Sequence, residues 1–220
     1  MKKELIIFGT GDIAELAHYY FSNDTSYEVA AFVIDQKYIS DPSFCSLPVI
    51  GTEDVVNKYS PDNYDIFIAL SYSKLNLLRK KKYLAFKKKG YKFASYISSH
   101  ATVLSSNIGE NCFILEDNTI QPYVHIGDNV TLWSGNHIGH HSNIGSHVFI
   151  SSHVVISGGV SIGQECFLGV NSTIRDHLSI GQKSIIGAGA LVLKDLKDNS
   201  LVKGVAGSVS KEASATIKNI

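Results

Sequence analysis

The chain has no surplus of either charge: Lys and Arg total 20, Asp and Glu total 20, over 220 residues. That balance argues against a general phosphate-backbone binder, whose affinity needs an excess of Lys and Arg, and leaves room only for a local basic patch. Cysteine is scarce as well. Cys45, Cys112 and Cys166 are far apart, form no CxxC pair and cannot make an even disulfide framework, so they read as reduced thiols. No stretch approaches the roughly 18 apolar residues of a membrane span. The opening MKKELIIFGTGD has a short apolar run, but Gly9, Gly11 and Asp12 interrupt it before a signal-peptide core forms. These absences predict a soluble, cytoplasmic protein without a nucleic-acid partner.

What is present divides near residue 100. Before it, short apolar runs (Leu5 to Phe8, Val29 to Ile34, Ile66 to Leu70, Phe93 to Ile97) alternate with helical patterns such as Ile13 to Phe21. Strand alternating with helix predicts an α/β, Rossmann-like domain over residues 1–99. The lysine-rich LLRKKKYLAFKKKG reads as a solvated amphipathic helix ending at Gly90. Residues 90–106 hold no long linker, so the two parts are expected to pack together.

After residue 100 the spacing changes to six. Every sixth residue from Ile108 to Val192 is aliphatic, fifteen in succession, and Gly follows eight of them. The position four residues later is mostly small or β-branched, which places Cys112 and Cys166 in core packing. A period of six fits neither a helix nor a hairpin array and is the signature of a parallel β-helix. Three six-residue sides make an 18-residue coil, and coils stack about 4.8 Å apart. Each aliphatic residue then lies over another, as in the column Ile108, Ile126, Ile144, Ile162 and Ile180, each burial contributing roughly 1.5–3 kcal/mol. The expected β-helix spans 100–200, followed by a tail over 201–220.

This repeat resembles the left-handed parallel β-helix acyltransferases, and among them the sugar O- and N-acyltransferases similar to the bacterial acetyltransferases of sialic acid and bacillosamine synthesis. Those enzymes also place a small Rossmann-like domain before the β-helix. The resemblance implies acetyl coenzyme A as cosubstrate, a homotrimer with sites at subunit boundaries, and a nucleotide-linked deoxyamino sugar as acceptor. It implies a histidine base followed by a polar or acidic residue, which the repeat position assigns to His140 and His141 in GHHSNIG. A neutral imidazole suits removal of a proton from an attacking amine or hydroxyl. The chain departs from the family at Trp133, where asparagine is common, and at Phe149, where a second histidine is common; both positions usually touch substrate. The ending GVAGSVSKEASA lacks the usual GNPA-like sequence.

His141, His147 and His153 each lie three residues after an aliphatic position, on successive sides of the coil, and so point in three directions. One zinc ion needs convergent ligands at about 2.0–2.1 Å, which excludes a shared metal within one subunit. His147, His125 and His177 are expected to be solvated, and His137 and His153 to border the groove of His140.

By resemblance, the pantetheine arm would follow Ser157, Gly158, Gly187 and Ala188, with Lys194 or Lys203 at phosphate. FGTGDIAE, after a strand and opening a helix, fits a phosphate-cradling turn. Asp35, ending the next strand, stands where an acidic residue contacts ribose or base. About 100 residues leave no room for a full dinucleotide fold, so the resemblance implies a nucleotide-sugar site of Gly9, Gly11, Asp12 and Asp35, completed by Ser71 and Lys74. Transfer to a hydroxyl of a free sugar such as sialic acid, and a non-catalytic or metal-binding scaffold, are the alternative functions.

Overall fold

The computed structural model describes residues 3–209. Its N-terminal part is a five-stranded sheet in the order β3-β4-β2-β1-β5. The strands are β1 (Lys3–Phe8), β2 (Tyr27–Ile34), β3 (Ser43–Phe44), β4 (Leu47–Gly51) and β5 (Tyr64–Ile68). All neighbouring pairs are parallel except β3 with β4. Helix α1 (Asp12–Asp24) follows β1, α2 (Val55–Lys58) follows β4, and α3 (Leu77–Lys88) follows β5. The apolar runs Leu5–Phe8 of β1 and Ile66–Ile68 of β5 are buried, as expected for parallel strands covered on both faces. The short β3–β4 pair went unread in the sequence, because two-residue SF and Pro-interrupted LPVIG carry no usable alternation.

The remaining chain coils into a left-handed parallel β-helix with three faces. On the first face Tyr96–Ile97, Phe113–Ile114, Thr131–Leu132, Phe149–Ile150, Phe167–Leu168, Ile185–Ile186 and Leu201–Val202 pair in parallel. The second face runs from Thr102–Val103 to Leu191–Val192, and the third from His125–Ile126 to Ser179–Ile180. The ladder thus begins at Tyr96, ahead of residue 100, and still includes Leu201–Val202, where a tail was expected. Residues 210–220 of that tail lie outside the described residues. The register is 18 residues per coil except at the two ends: Tyr96 pairs with Phe113 and Thr102 with Thr119 in the first coil, one residue short, and Ile180 bridges Leu196 and Ile185 pairs with Leu201 in the last, two residues short.

From Thr102–Val103 onward the second residue of each strand points inward, and the predicted aliphatic positions fill one continuous core that also takes in Cys112 and Cys166. One corner carries Gly109, Gly127, Gly145, Gly163 and Gly181, where a Cβ would lie within 2.3–2.7 Å of the next coil. Close stacking of coils, rather than a ligand, accounts for this glycine column. The third residue after each aliphatic position from Ile108 to Ile186 has a left-handed backbone, including His141, His147, His153 and His177. Asn, Asp and His are enriched in that conformation among residues other than glycine.

The first face is covered by the N-terminal domain. Its outward residues Phe113, Thr131 and Phe149 are therefore buried, while outward residues of the third face, His125, Asn143, Ser161 and Ser179, are exposed. Helix α3 seals this joint. It is not simply a solvated helix: Arg79, Tyr83 and Phe86, four and three residues apart, form a buried stripe.

Candidate active site

Two clefts flank the FGTGD turn at the carboxyl edge of the parallel sheet. One, of about 250 Å³, is lined by Phe8, Gly9, Thr10, Asp35, Tyr38 and Lys82 among others. The second, about 400 Å³, is lined by Gly11, Asp12, Ile13, Ala69, Leu70 and Ser71. It lies where the strand order reverses, between β1 and β5, the usual binding crevice of an open parallel sheet. The turn brings five of the six predicted N-terminal residues together; Lys74 is exposed and lines neither cleft.

The two glycines of the turn have different causes. At Gly9 (φ +128°) a Cβ would sit 2.6 Å from the Ala69 carbonyl oxygen, so the fold itself demands glycine. At Gly11, the residue capping α1, a Cβ would meet nothing within 4 Å. Packing does not explain Gly11, and its missing side chain leaves the first amides of α1 accessible from the cleft. Asp35 is only partly available: its carboxylate pairs with the Lys82 ammonium from α3, which also lies 5.1 Å from the Phe8 ring centroid.

His140 and His141 occupy the corner after the second face, both exposed. Their Nδ1 atoms are 3.1 Å apart, so one ring donates and the other accepts. The His140 N–H donates to Gln121 Oε1 at 2.9 Å. A Cβ at Gly158 would come within 2.7 Å of the His140 ring, so the imidazole itself accounts for that glycine. His140 is not at the left-handed step of its turn, and turn geometry does not account for its identity.

The coil register separates the expected coenzyme residues. His140, Gly158 and Lys194 share one corner column, with Ser157 beside it. Gly187 and Ala188 stand at the next corner, in the columns of Trp133 and Ser134. Hydrogen bonds from the Gly159 N–H to the His140 carbonyl and from the Trp133 N–H to the Ile150 carbonyl fix these registers. Ala188, Lys194 and Lys203 are exposed, and Ser157, Gly158 and Gly187 half-buried. The histidine pair lines none of the clefts described above.

Two expectations are corrected. Phe149 contacts no open pocket: it is 2% exposed, stacked on Phe167 (5.8 Å) and packed against Tyr72 (4.8 Å) of the N-terminal domain. Trp133, half-buried, packs against the N-terminal domain's core beside Phe113 and Leu115 and lies 6.5 Å from Phe149. His147 is not solvated. It is 6% exposed, lies 5.6 Å from Tyr83, and its Nδ1 accepts from Asn129 Nδ2 at 2.9 Å. Burial, chiefly, lowers its pKa to about 4. His153 lies against Gly135 and His177 against Gly159, each where a Cβ would fall 2.5 Å from the ring. Among the described residues no group of three or more His, Cys, Asp or Glu is arranged to hold a metal ion, and no helix is long and apolar enough to cross a membrane.

Sequence reasoning missed Arg79. Its guanidinium is fully buried without a carboxylate partner, donating to the carbonyls of Asn129 (3.0 Å), Asn111 (3.1 Å) and Ile68 (3.4 Å) and to Thr131 Oγ1 (2.6 Å). Its helical spacing with Tyr83 and Phe86 was the available signal.

The bacterial transferase hexapeptide family (six repeats) matches residues 105–140 and 123–158, and the hexapeptide repeat of succinyl-transferase matches residues 159–194. No curated protein matches the chain. Among solved structures, the acetyltransferase domain of PglB from Neisseria gonorrhoeae superposes with a TM-score of 0.80 at 24% identity, covering 92% of this chain and 97% of that one. Its complex with acetyl coenzyme A matches with a TM-score of 0.80 at 25% identity, over 93% and 97%. PerB from Caulobacter crescentus, in complex with CoA and GDP-perosamine, matches with a TM-score of 0.80 at 26% identity, over 93% and 95%.

Proposed function

Starting from an acyltransferase of the hexapeptide-repeat, left-handed β-helix family, we propose that this chain transfers the acetyl group of acetyl coenzyme A to the amino group of a nucleotide-linked deoxyamino sugar. The observation that carries the chemistry is His140: an exposed imidazole whose identity neither packing nor turn geometry requires, hydrogen-bonded through Nδ1 to a second imidazole. When His140 Nδ1–H donates to His141 Nδ1, His140 Nε2 keeps its lone pair and can act as base. The amine nitrogen then attacks the thioester carbonyl and loses a proton to Nε2. The carbon–sulfur bond breaks, and the coenzyme leaves as its thiolate, to be protonated.

The nucleotide is assigned to the N-terminal turn. Open Gly11 at the start of α1 lets a phosphate approach backbone N–H groups, and Asp35 with Lys82 supplies polar contacts in the neighbouring cleft. Coenzyme binding is assigned to the corners of Ser157, Gly158 and Lys194 and of Gly187 and Ala188, brought face to face between subunits of a homotrimer. PerB, with its bound nucleotide-linked amino sugar, supports the choice of acceptor.

The test is release of free coenzyme A against a panel of nucleotide-linked amino sugars and free sialic acids. Turnover with the amino sugars, lowered about 10²–10⁴-fold in kcat by His140→Ala, is expected. His125→Ala, on the exposed third face, serves as the control. Turnover only with a hydroxyl acceptor, or an unimpaired His140→Ala enzyme, overturns the reading.

A further inference from the structure

Tyr123 lies one coil below His141, at the same left-handed step of its turn, with φ +65°. That step suits Asn, Asp, His and Gly, and this chain mostly obeys: Asn111, Asp117, Asn129, Asn171 and four histidines occupy it. A bulky tyrosine there is strained by contact between its Cβ and the backbone. Glu165 and Lys183 break the same preference; Glu165 gains an ion pair with Lys80 at 2.8 Å, and Lys183 is an exposed, flexible side chain. Tyr123 has no such compensation. Its side chain is 76% exposed, the highest value for any aromatic among the described residues, and its hydroxyl makes no hydrogen bond with them. Neither backbone preference, burial nor hydrogen bonding accounts for it.

What the ring does touch is His141. The two rings lie 4.7 Å apart, tilted by 35°. His141 is otherwise an exposed side chain, and the rotamer it holds presents its Nδ1 to His140 Nδ1 at 3.1 Å. We propose that Tyr123 is a positioning residue: its ring stacks on His141, holds that rotamer, and so keeps His140 in the tautomer that accepts the proton. The inference rests on the catalytic reading of His140. An observed outlier here marks a functional constraint in which local stability is given up to order an exposed catalytic pair.

The experiment compares Tyr123→Asn and Tyr123→Phe with wild type in melting temperature, oligomeric state and steady-state kinetics. Asparagine suits the left-handed backbone but cannot stack. Tyr123→Asn is expected to melt at a higher temperature while kcat falls on the order of tenfold, as for a misplaced catalytic group, with KM for both substrates unchanged. Tyr123→Phe keeps the ring and is expected to keep wild-type kcat. Wild-type kcat in Tyr123→Asn overturns the proposal. So does a rise in KM with kcat intact, or an equal loss in Tyr123→Phe, since either indicates direct contact with substrate. His140→Ala assayed in parallel separates the two levels: an unimpaired His140→Ala enzyme removes the catalytic reading and this inference with it, whereas an impaired one beside a fully active Tyr123→Asn removes only the inference.

Discussion

His147 sits six residues after His141, at the same step of the coil, yet its surroundings are opposite. Ile68 N–H donates to Asn111 Oδ1, Asn111 Nδ2 to Asn129 Oδ1, and Asn129 Nδ2 to His147 Nδ1, a ladder running up three coils. The ladder's direction makes Nδ1 an acceptor, so His147 is neutral with its proton on Nε2. Arg79, Lys80, Glu165, Asp128 and Tyr83 surround it, and protonation would set two donors against each other. Because the folded-state pKa is depressed from 6.5 to about 4, His147 contributes stability above pH 6.5 that is lost as pH falls towards 4, up to about 3 kcal/mol. Thermal melts between pH 7 and 4 should show this loss. His147→Asn, which tolerates the left-handed backbone and accepts from Asn129 without titrating, should flatten the acid slope. An unchanged slope would remove His147 as its cause.

At the scale of elements, α3 joins the domains through a buried guanidinium held without a counter-charge and through flanking ion pairs. Arg79 reaches the corner carbonyls of Asn111 and Asn129, Asn76 Nδ2 donates to the His147 carbonyl at 2.8 Å, and Lys80 and Lys87 pair with Glu165 and Glu110 at 2.8 and 2.7 Å. Burial brings Arg79 down to about 10, which leaves it charged at neutral pH. Backbone oxygens therefore replace its water. Arg79→Met should strand these acceptors and cost about 3 kcal/mol or more. Arg79→Lys should not rescue it, because one ammonium cannot span acceptors that a planar fork meets at once. Urea denaturation of both variants checks this; full rescue by lysine would mean that charge alone holds the joint.

Over the whole molecule, the proposed nucleotide turn and the histidine corner occupy separate places on one chain, and no described cleft joins them. The first face of the prism is occupied by the N-terminal domain, and in the proposed assembly a groove beside His140 would be walled by another prism. Sedimentation is expected to show a trimer, and a fully active monomer would refute that assembly. Asp35→Ala should weaken binding of the nucleotide-linked sugar and leave acetyl coenzyme A unaffected, since the two ligands would rest on different domains. Calorimetry with each ligand tests this, and equal losses for both would refute it.

The sequence by itself determined the coil. Fifteen aliphatic residues at a spacing of six admit one solution in which every one is buried, and the alternation before residue 100 similarly dictated a parallel sheet with Gly9 at its turn. Repeats are legible because each residue's burial depends only on its place in the period. Position in the period could not distinguish His141 from His147, nor tell that Phe149 is covered by its own N-terminal domain rather than by substrate or a neighbouring subunit. Those outcomes depend on which face α3 and Tyr72 dock against. Docking joins residues some 50 to 90 positions apart, and no local spacing encodes such contacts. The tertiary structure alone decided which of two equivalent histidines is buried and neutral and which stands open to solvent.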